Sequence, residues 1–323
     1  MDRRHFLEDL AALGAIGISM EAAGAERFGN ALDAMACRRK KAAGEARFDE
    51  NLVCIISDLH VHPDWHQERY LAEIVGQILA LNPRPRYVLC LGDIAYLTGK
   101  PEEYAAARRY LDRLEAAGMQ LTLTMGNHDR RDAFAEAFPD HAAASRLPDR
   151  YVYTVETPLA DFILLDSLQE SPDPTTWITP GAVDERQMKW LEAQLSARQE
   201  AGKPVFVMAH HALDDLRDLR GPMFRYPCCK GFIYGHKHVW DADWIHLNFH
   251  DRDVLRTLGV PSTGHWGDIG FVTLALERDR AVASNHELTF FFPGPCQEGE
   301  EKPAFWAEIE RENKGAVCVF PFQ

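Results

Sequence analysis

Five short clusters of histidine, aspartate and asparagine punctuate the chain: Asp58-Leu59-His60, Gly92-Asp93, Gly126-Asn127-His128-Asp129, His210-His211 and Gly235-His236-Lys237-His238. Imidazole nitrogens mixed with carboxylate and carboxamide oxygens suit Mn, Fe, Zn or Co better than Ca or Mg. Each cluster alone has an ordinary explanation. Asp58 can start a turn, Gly92-Asp93 is a common turn dipeptide, Gly126-Asn127 suits a left-handed bend, and adjacent histidines can simply end a strand. What the five share is position, because each stands directly after a segment that reads as a strand. Ligands of open α/β sheets gather at the carboxyl ends of the strands, so segments far apart in sequence can converge there on one site.

The elements that must do the positioning are legible as alternating strands and helices, the signature of an α/β fold. Leu52 to Ser57, Tyr87 to Leu91 and Leu121 to Met125 read as buried strands. Between them, residues 66–81 carry Tyr70, Leu71, Ile74, Val75, Ile78 and Leu79 at helical spacing, with Pro83 and Pro85 beyond, and residues 102–117 form a helix stopped by Gly118. Tyr151 to Thr157 and Asp161 to Leu165 read as paired strands. A helix over 183–200, with Met188, Leu191 and Leu195 on one face, precedes strands at Val205 to Ala209 and Gly231 to Tyr234. Gly270 to Leu276 and Ala281 to Phe292 read as β-rich and antiparallel. Residues 294–323 show only a loose pattern and are expected to form a C-terminal tail, leaving 49–293 as the folded domain.

Taken in order, D-x-H, G-D, G-N-H-D, V-x-x-H and G-H-x-H resemble the calcineurin-like metallophosphoesterase family over roughly residues 50 to 292. The V-x-x-H match, Val207-Met208-Ala209-His210, picks His210 rather than His211 as a ligand. The resemblance implies a four-layer α/β/β/α sandwich of two mixed sheets flanked by helices. It also implies two metal ions, one held by Asp58, His60 and His238 and the other by Asn127, His210 and His236, with Asp93 bridging. The implied reaction is hydrolysis of a phosphate mono- or diester by a metal-bridging water or hydroxide. Two transition-metal ions ~3.5–4 Å apart would acidify that water and clamp the phosphoryl oxygens during in-line displacement. In the family the histidine beside the metal-binding asparagine faces the substrate, which is the role expected of His128. Asp129 would orient its ring, or else cap the following helix. The D-x-H and N-H-D set is most similar to the branch containing class III cyclic-nucleotide and glycerophosphodiesterases. A non-catalytic, metal-stabilised binding scaffold of the same fold is the alternative from another class, although such scaffolds usually lack ligands that are present here.

Three more residues bear on the site. Tyr96 makes Gly92-Asp93-Ile94-Ala95-Tyr96 similar to the G-D-x-x-Y of purple acid phosphatases, where the tyrosine binds iron. That family has glycine where this chain has His60, so Tyr96 is expected to pack rather than ligate. His62 is expected to face solvent, and His265, in a Gly-rich loop, to belong to a late strand connection. The Pro- and Thr-rich stretch from Ser171 to Pro180 is the expected pocket rim.

A formal net charge of -14, from 35 basic and 49 acidic residues, argues against long nucleic acids as partners, since that affinity rests on Lys and Arg contacts to phosphates. The expected partner is a small phosphate ester. A metal-dependent nuclease of the same superfamily is disfavoured for the same reason. Seven cysteines without paired C-x-x-C spacing indicate neither a zinc ribbon nor a disulfide scaffold. Residues 1–25 have the grammar of an export signal: Arg3-Arg4-His5-Phe6-Leu7, the apolar run Ala11 to Met20, then Ala23-Gly24-Ala25. They resemble a bacterial twin-arginine signal peptide, followed by a polar spacer over 26–48. That reading implies the export machinery as a partner and a periplasmic or extracellular location. Without the signal the same chain would be cytoplasmic.

Overall fold

Val53-Cys54-Ile55-Ile56 is apolar at every position because both faces of its strand are covered. In the computed structural model, which describes residues 47–64, 68–246, 254–292 and 301–322, Val53 and Ile55 enter one apolar layer while Cys54 and Ile56 enter another. The strand is β1 (Phe48–Ile56), with strands numbered in chain order. β2 (Arg84–Cys90) and β3 (Gln120–Leu123) continue parallel on one side. β10 (Gly267–Leu276), β11 (Arg280–Phe291) and β12 (Val317–Pro321) continue antiparallel on the other. A second sheet has the spatial order β4 (Tyr153–Glu156), β5 (Asp161–Leu164), β6 (Val205–Ala209), β7 (Cys229–Tyr234), β9 (Val254–Gly259) and β8 (Asp241–His246). Its central strands β5, β6, β7 and β9 are parallel, and the two edges are antiparallel.

Helices α1 (Glu68–Ala80) and α2 (Pro101–Ala116) lay Leu71, Ile74, Ile78 and Leu111 on the outer face of the first sheet. Two short helices, α3 (Arg131–Ala137) and α4 (Pro139–Ala144), follow β3. α5 (Glu185–Ala201) covers the second sheet with Leu191 and Leu195, against Val207 and Phe232, and the short α6 (Arg220–Arg225) packs beside it. Between the sheets, Val53, Ile55 and Leu89 meet Phe162, Phe206 and Met208. The result is the four-layer α/β/β/α sandwich. α5 shows how local sequence sets its limits: the Asp184 carboxylate accepts the Gln187 N–H at 2.9 Å, and Gly202 turns the chain at φ +65°.

The C-terminal residues depart from the expected tail. After α7 (Ala304–Asn313), Val317 to Pro321 becomes β12 and pairs with β11, burying Cys318 and Phe320. β8 and β9 also escaped the pattern reading, because edge strand β8 carries Asp241 and Asp243 and so reads as a loop. Among the described residues no helix is long and apolar enough to cross a membrane.

On the side of β10 and β11 that faces the second sheet, Asp268 and Glu287 are buried, and both Glu287 oxygens lack hydrogen-bond partners among the described residues. Burial, with Asp268 and Glu310 nearby, pushes the Glu287 carboxyl up from 4.5 to about 8. The folded chain therefore holds this proton more tightly than the unfolded one. The resulting stability is complete below pH 4.5 and is lost as pH rises through 8. Glu287→Gln should raise Tm at pH 9 by roughly 5 °C, an effect on the order of 2 kcal/mol, and flatten the fall between pH 5 and pH 9. Calorimetric melts of both proteins across that range measure it; a Gln variant that loses stability as steeply as the parent would contradict the assignment.

Candidate metal centre

The five clusters meet where β1, β2, β3, β6 and β7 end. Asp58 and His60 leave β1, Asp93 leaves β2, Asn127 leaves β3, His210 leaves β6, and His236 and His238 leave β7. Asp58, His60, Asp93, Asn127, His210 and His238 are all buried. Asp58, His60, Asp93, His236 and His238 stand at positive φ, between +45° and +67°. Left-handed backbone costs a non-glycine residue about 1–3 kcal/mol and persists only where the surroundings over-determine it, as they do at functional sites. Gly126 is required for a different reason: a Cβ there would collide with the Asp93 carboxylate and backbone.

The donors form two groups joined by one oxygen. Asp58 Oδ1 lies 3.1 Å from His238 Nε2, which is 3.3 Å from His60 Nε2. On the other side, His210 Nε2 lies 3.0 Å from Asn127 Oδ1 and 3.2 Å from His236 Nδ1. Asp93 Oδ2 stands between them, 3.5 Å from His60 Nε2 and 3.2 Å from His210 Nε2.

Backbone carbonyls fix the tautomers. His60 Nδ1–H donates to Tyr96 O (2.9 Å), His210 Nδ1–H to Leu91 O (3.0 Å) and His238 Nδ1–H to Trp266 O (3.1 Å). In the neutral rings each Nε2 then carries a lone pair, and the lone pairs of His60 and His238 point at each other across 3.3 Å. Such an arrangement calls for a cation between the rings. The electrostatics agree. Burial opposes charge on Asp58 and Asp93, yet His238 and His210 beside Asp58, and His210 and His128 beside Asp93, hold both carboxyls well below the usual range. Burial likewise opposes a proton on His210, but Asp93 and Asp58 outweigh it and raise the ring to about 9. A field that pulls a proton onto His210 Nε2 draws a metal cation just as well, and imidazole with carboxylate and carboxamide oxygen is a transition-metal donor set.

The family model for calcineurin-like phosphoesterases matches residues 52–240. The chain belongs to this family. It is 30% identical over 209 residues to a glycerophosphodiester phosphodiesterase of Enterobacter lignolyticus, covering 58% of this chain and 70% of that one. To a probable cyclic nucleotide phosphodiesterase of Rhodopseudomonas palustris it is 31% identical over 249 residues, covering 70% of this chain and 85% of the relative. A dimetal phosphatase from Danio rerio shares the fold, with a TM-score of 0.58 at 18% identity over 74% of this chain and 96% of that one. This calcineurin-like phosphoesterase is a phosphoric ester hydrolase, from a family of dinuclear metal enzymes.

Above the two donor groups opens a cleft of ≈ 320 Å³. His128 lines it, with Nδ1–H donating to Leu97 O (2.7 Å) and its main-chain N–H donating to Asp93 Oδ1 (2.8 Å). The expectation that Asp129 orients the His128 ring is corrected. Its carboxylate accepts instead from Gly126 N (2.9 Å), Ala95 N (3.0 Å), Ile94 N (3.3 Å) and the Tyr104 hydroxyl (3.1 Å). It does not cap α3 either: the N-cap residue Arg130 makes no side-chain cap bond, and the first helical N–H, that of Arg131, donates to Glu170 Oε1 at 3.1 Å. Adjacent residues point apart, so Asp129 ties the Asp93 loop to the Asn127 loop from beneath. His211 is not a free donor: Nε2–H donates to Thr179 O (2.9 Å) and Nδ1 accepts from the Ser167 hydroxyl (2.8 Å). Its proximity to His210 and His236 therefore adds no ligand, and it braces the rim loop instead.

That loop supplies Trp177 and Thr179 to the cleft, with the Trp177 ring 4.9 Å from His128. His265, expected in a strand connection, also lines the cleft, 4.5 Å from the His60 ring. The loop's sequence could not reveal where it returns. Tyr96 lines the cleft as well and serves His60 through its carbonyl, while His62 packs on the Tyr96 ring at 5.5 Å.

Proposed function

We propose that the protein hydrolyses a small phosphodiester at two transition-metal ions, one held by Asp58, His60 and His238, the other by Asn127, His210 and His236, with Asp93 shared. The observation that carries this reading is Asp93 Oδ2, set between His60 Nε2 at 3.5 Å and His210 Nε2 at 3.2 Å. When bound, two such ions polarise the phosphoryl oxygens and acidify a water toward neutrality. The chain's own residues do the rest. Leu97 O holds the His128 ring so that Nε2 faces the cleft, where, once protonated, it donates to the departing alcohol oxygen. Trp177 packs against that ring.

The preference for a diester has two supports. Both relatives are named for diester substrates. Among the described residues no Lys or Arg lines the cleft, whose walls include Tyr96, Trp177 and Trp266. A dianionic monoester gains most from extra cations, whereas a monoanionic diester with a larger alcohol gains from an uncharged, aromatic wall. With Mn(II) or Co(II) restored, kcat/KM for bis(4-nitrophenyl) phosphate should exceed that for 4-nitrophenyl phosphate by about tenfold, about 1.4 kcal/mol of transition-state preference. A faster monoester would reverse the preference, and hydrolysis of neither would remove the catalytic reading.

Export is proposed on the sequence alone, since residues 1–25 and most of the spacer over 26–48 lie outside the described residues. A twin-arginine route carries folded protein, which would let the metals load first. Replacing Arg3 and Arg4 by lysine should leave a fused reporter in the cytoplasm; unchanged export would remove the twin-arginine reading.

A further inference from the structure

We propose that Asn313, at the end of α7, is a positioning residue for His238 that acts through the Asp268 carboxylate. The inference rests on the dinuclear reading above and concerns a part of the chain beyond the family match, which ends at residue 240. Asp268 grips the main chain on both sides of Val239. Its N–H donates to the His238 carbonyl (2.8 Å), and its Oδ2 accepts from the Trp240 N–H (2.6 Å). The residues just before it complete the hold. The Trp266 carbonyl takes His238 Nδ1–H at 3.1 Å, and the Trp266 ring lies 4.3 Å from the imidazole. Gly267, at φ +89°, lets the two segments touch, because a side chain there would strike the His238 carbonyl. His238 itself stands at φ +56°, a conformation that only such a cradle maintains.

The cradle depends on keeping a buried carboxylate in place. Asp268 is fully buried, and among the described residues its carboxylate has two donors, the Trp240 N–H and the Asn313 side-chain amide at 2.8 Å. Glu310 presses on it with like charge. Its Oδ1 has no partner among the described residues, so removing one of the two donors on Oδ2 frees the carboxylate to shift. That shift loosens the Trp240 bond and with it the segment that carries His238. Asn313 can serve as an anchor because it is itself held. Its carbonyl accepts from the Asn285 amide (2.8 Å), and Trp306 of the same helix stacks on Phe290 at 5.5 Å and Phe292 at 5.6 Å.

Asn313→Asp keeps the shape of the side chain, removes the donor and sets a carboxylate against Asp268. In a Co(II) titration of metal-free protein followed by visible absorption, the parent should fill two sites. The variant should bind one ion about tenfold or more weaker and the other unchanged, the range seen when a ligand loses its outer support. On a His238→Ala background the same substitution should change nothing further. Lys302→Ala, which breaks the Lys302–Glu310 ion pair at 2.5 Å, should lower the melting temperature and leave both affinities alone. Parental affinities in Asn313→Asp, or the same selective loss in Lys302→Ala, would overturn the positioning role by itself. A parent that fills fewer than two sites would overturn the dinuclear reading and this proposal with it.

Discussion

Asp93→Ala is expected to empty both metal positions at once and to lower kcat/KM by about 10³ or more, roughly 4 kcal/mol of transition-state stabilisation. The reason lies in one atom. Oδ2 stands between His60 Nε2 and His210 Nε2, so each donor group loses a ligand when it goes. The other oxygen accepts the His128 main-chain N–H, so His128 shifts as well. His210 loses one of the three carboxylates that raise its basicity. His236→Ala is a useful contrast, since it touches one donor group only and should leave one ion bound. Metal content after gel filtration, measured beside turnover, separates the two patterns. Two tightly retained ions in Asp93→Ala would sink the shared-ligand assignment, whatever happened to the rate.

Much of this site could be read from the chain because its candidate ligands obey a topological rule. A residue after a buried parallel strand lies at the carboxyl edge of a sheet, and β1, β2, β3, β6 and β7 bring their edges together. Strand ends and residue type therefore marked out the clusters holding Asp58, His60, Asp93, Asn127, His210, His236 and His238, while the choice of His210 over His211 came from the resemblance to the V-x-x-H motif. Asp129 was misread because its sequence neighbour is His128, whereas the partners that decide its role are Ile94 and Ala95, more than thirty positions away on another loop. His265 shows the same limit, since the path of a Gly-rich loop is set by what it packs on, here Leu59 and the His60 ring. The C-terminal strand stayed hidden for a different reason. Val317-Cys318-Val319-Phe320 buries only Cys318 and Phe320, and with apolar residues on its exposed face too it shows no polar-apolar alternation. Local pattern reports how a segment meets solvent, and a segment with apolar residues on both sides of an edge strand gives it little to report.

His128→Ala should keep both ions and lose rate in a way that depends on the leaving group. Its ring stands near His60 and Asp93, but the ring centroid is 5.1 Å from that of His60, and Nδ1 is committed to Leu97 O. The bond from residue 128 to Asp93 is a main-chain bond and survives truncation. A protonated Nε2 helps only to the extent that the departing oxygen needs a proton. An alkyl alkoxide is strongly basic and needs one; a nitrophenolate leaves readily without it. General acid catalysis contributes about 10²–10⁴-fold, so a methyl or glyceryl diester should slow by that factor while bis(4-nitrophenyl) phosphate slows by less than about tenfold. Trp177→Ala supplies a second view of the same ring, because it frees one face of the imidazole without touching its hydrogen bond. It should slow the alkyl ester modestly and keep the same ordering. Equal losses on both esters in His128→Ala would make the residue a charge stabiliser or a substrate-positioning group instead. Loss of metal from that variant would show that the imidazole, and not Asn127 alone, helps to hold the ion on its side of Asp93.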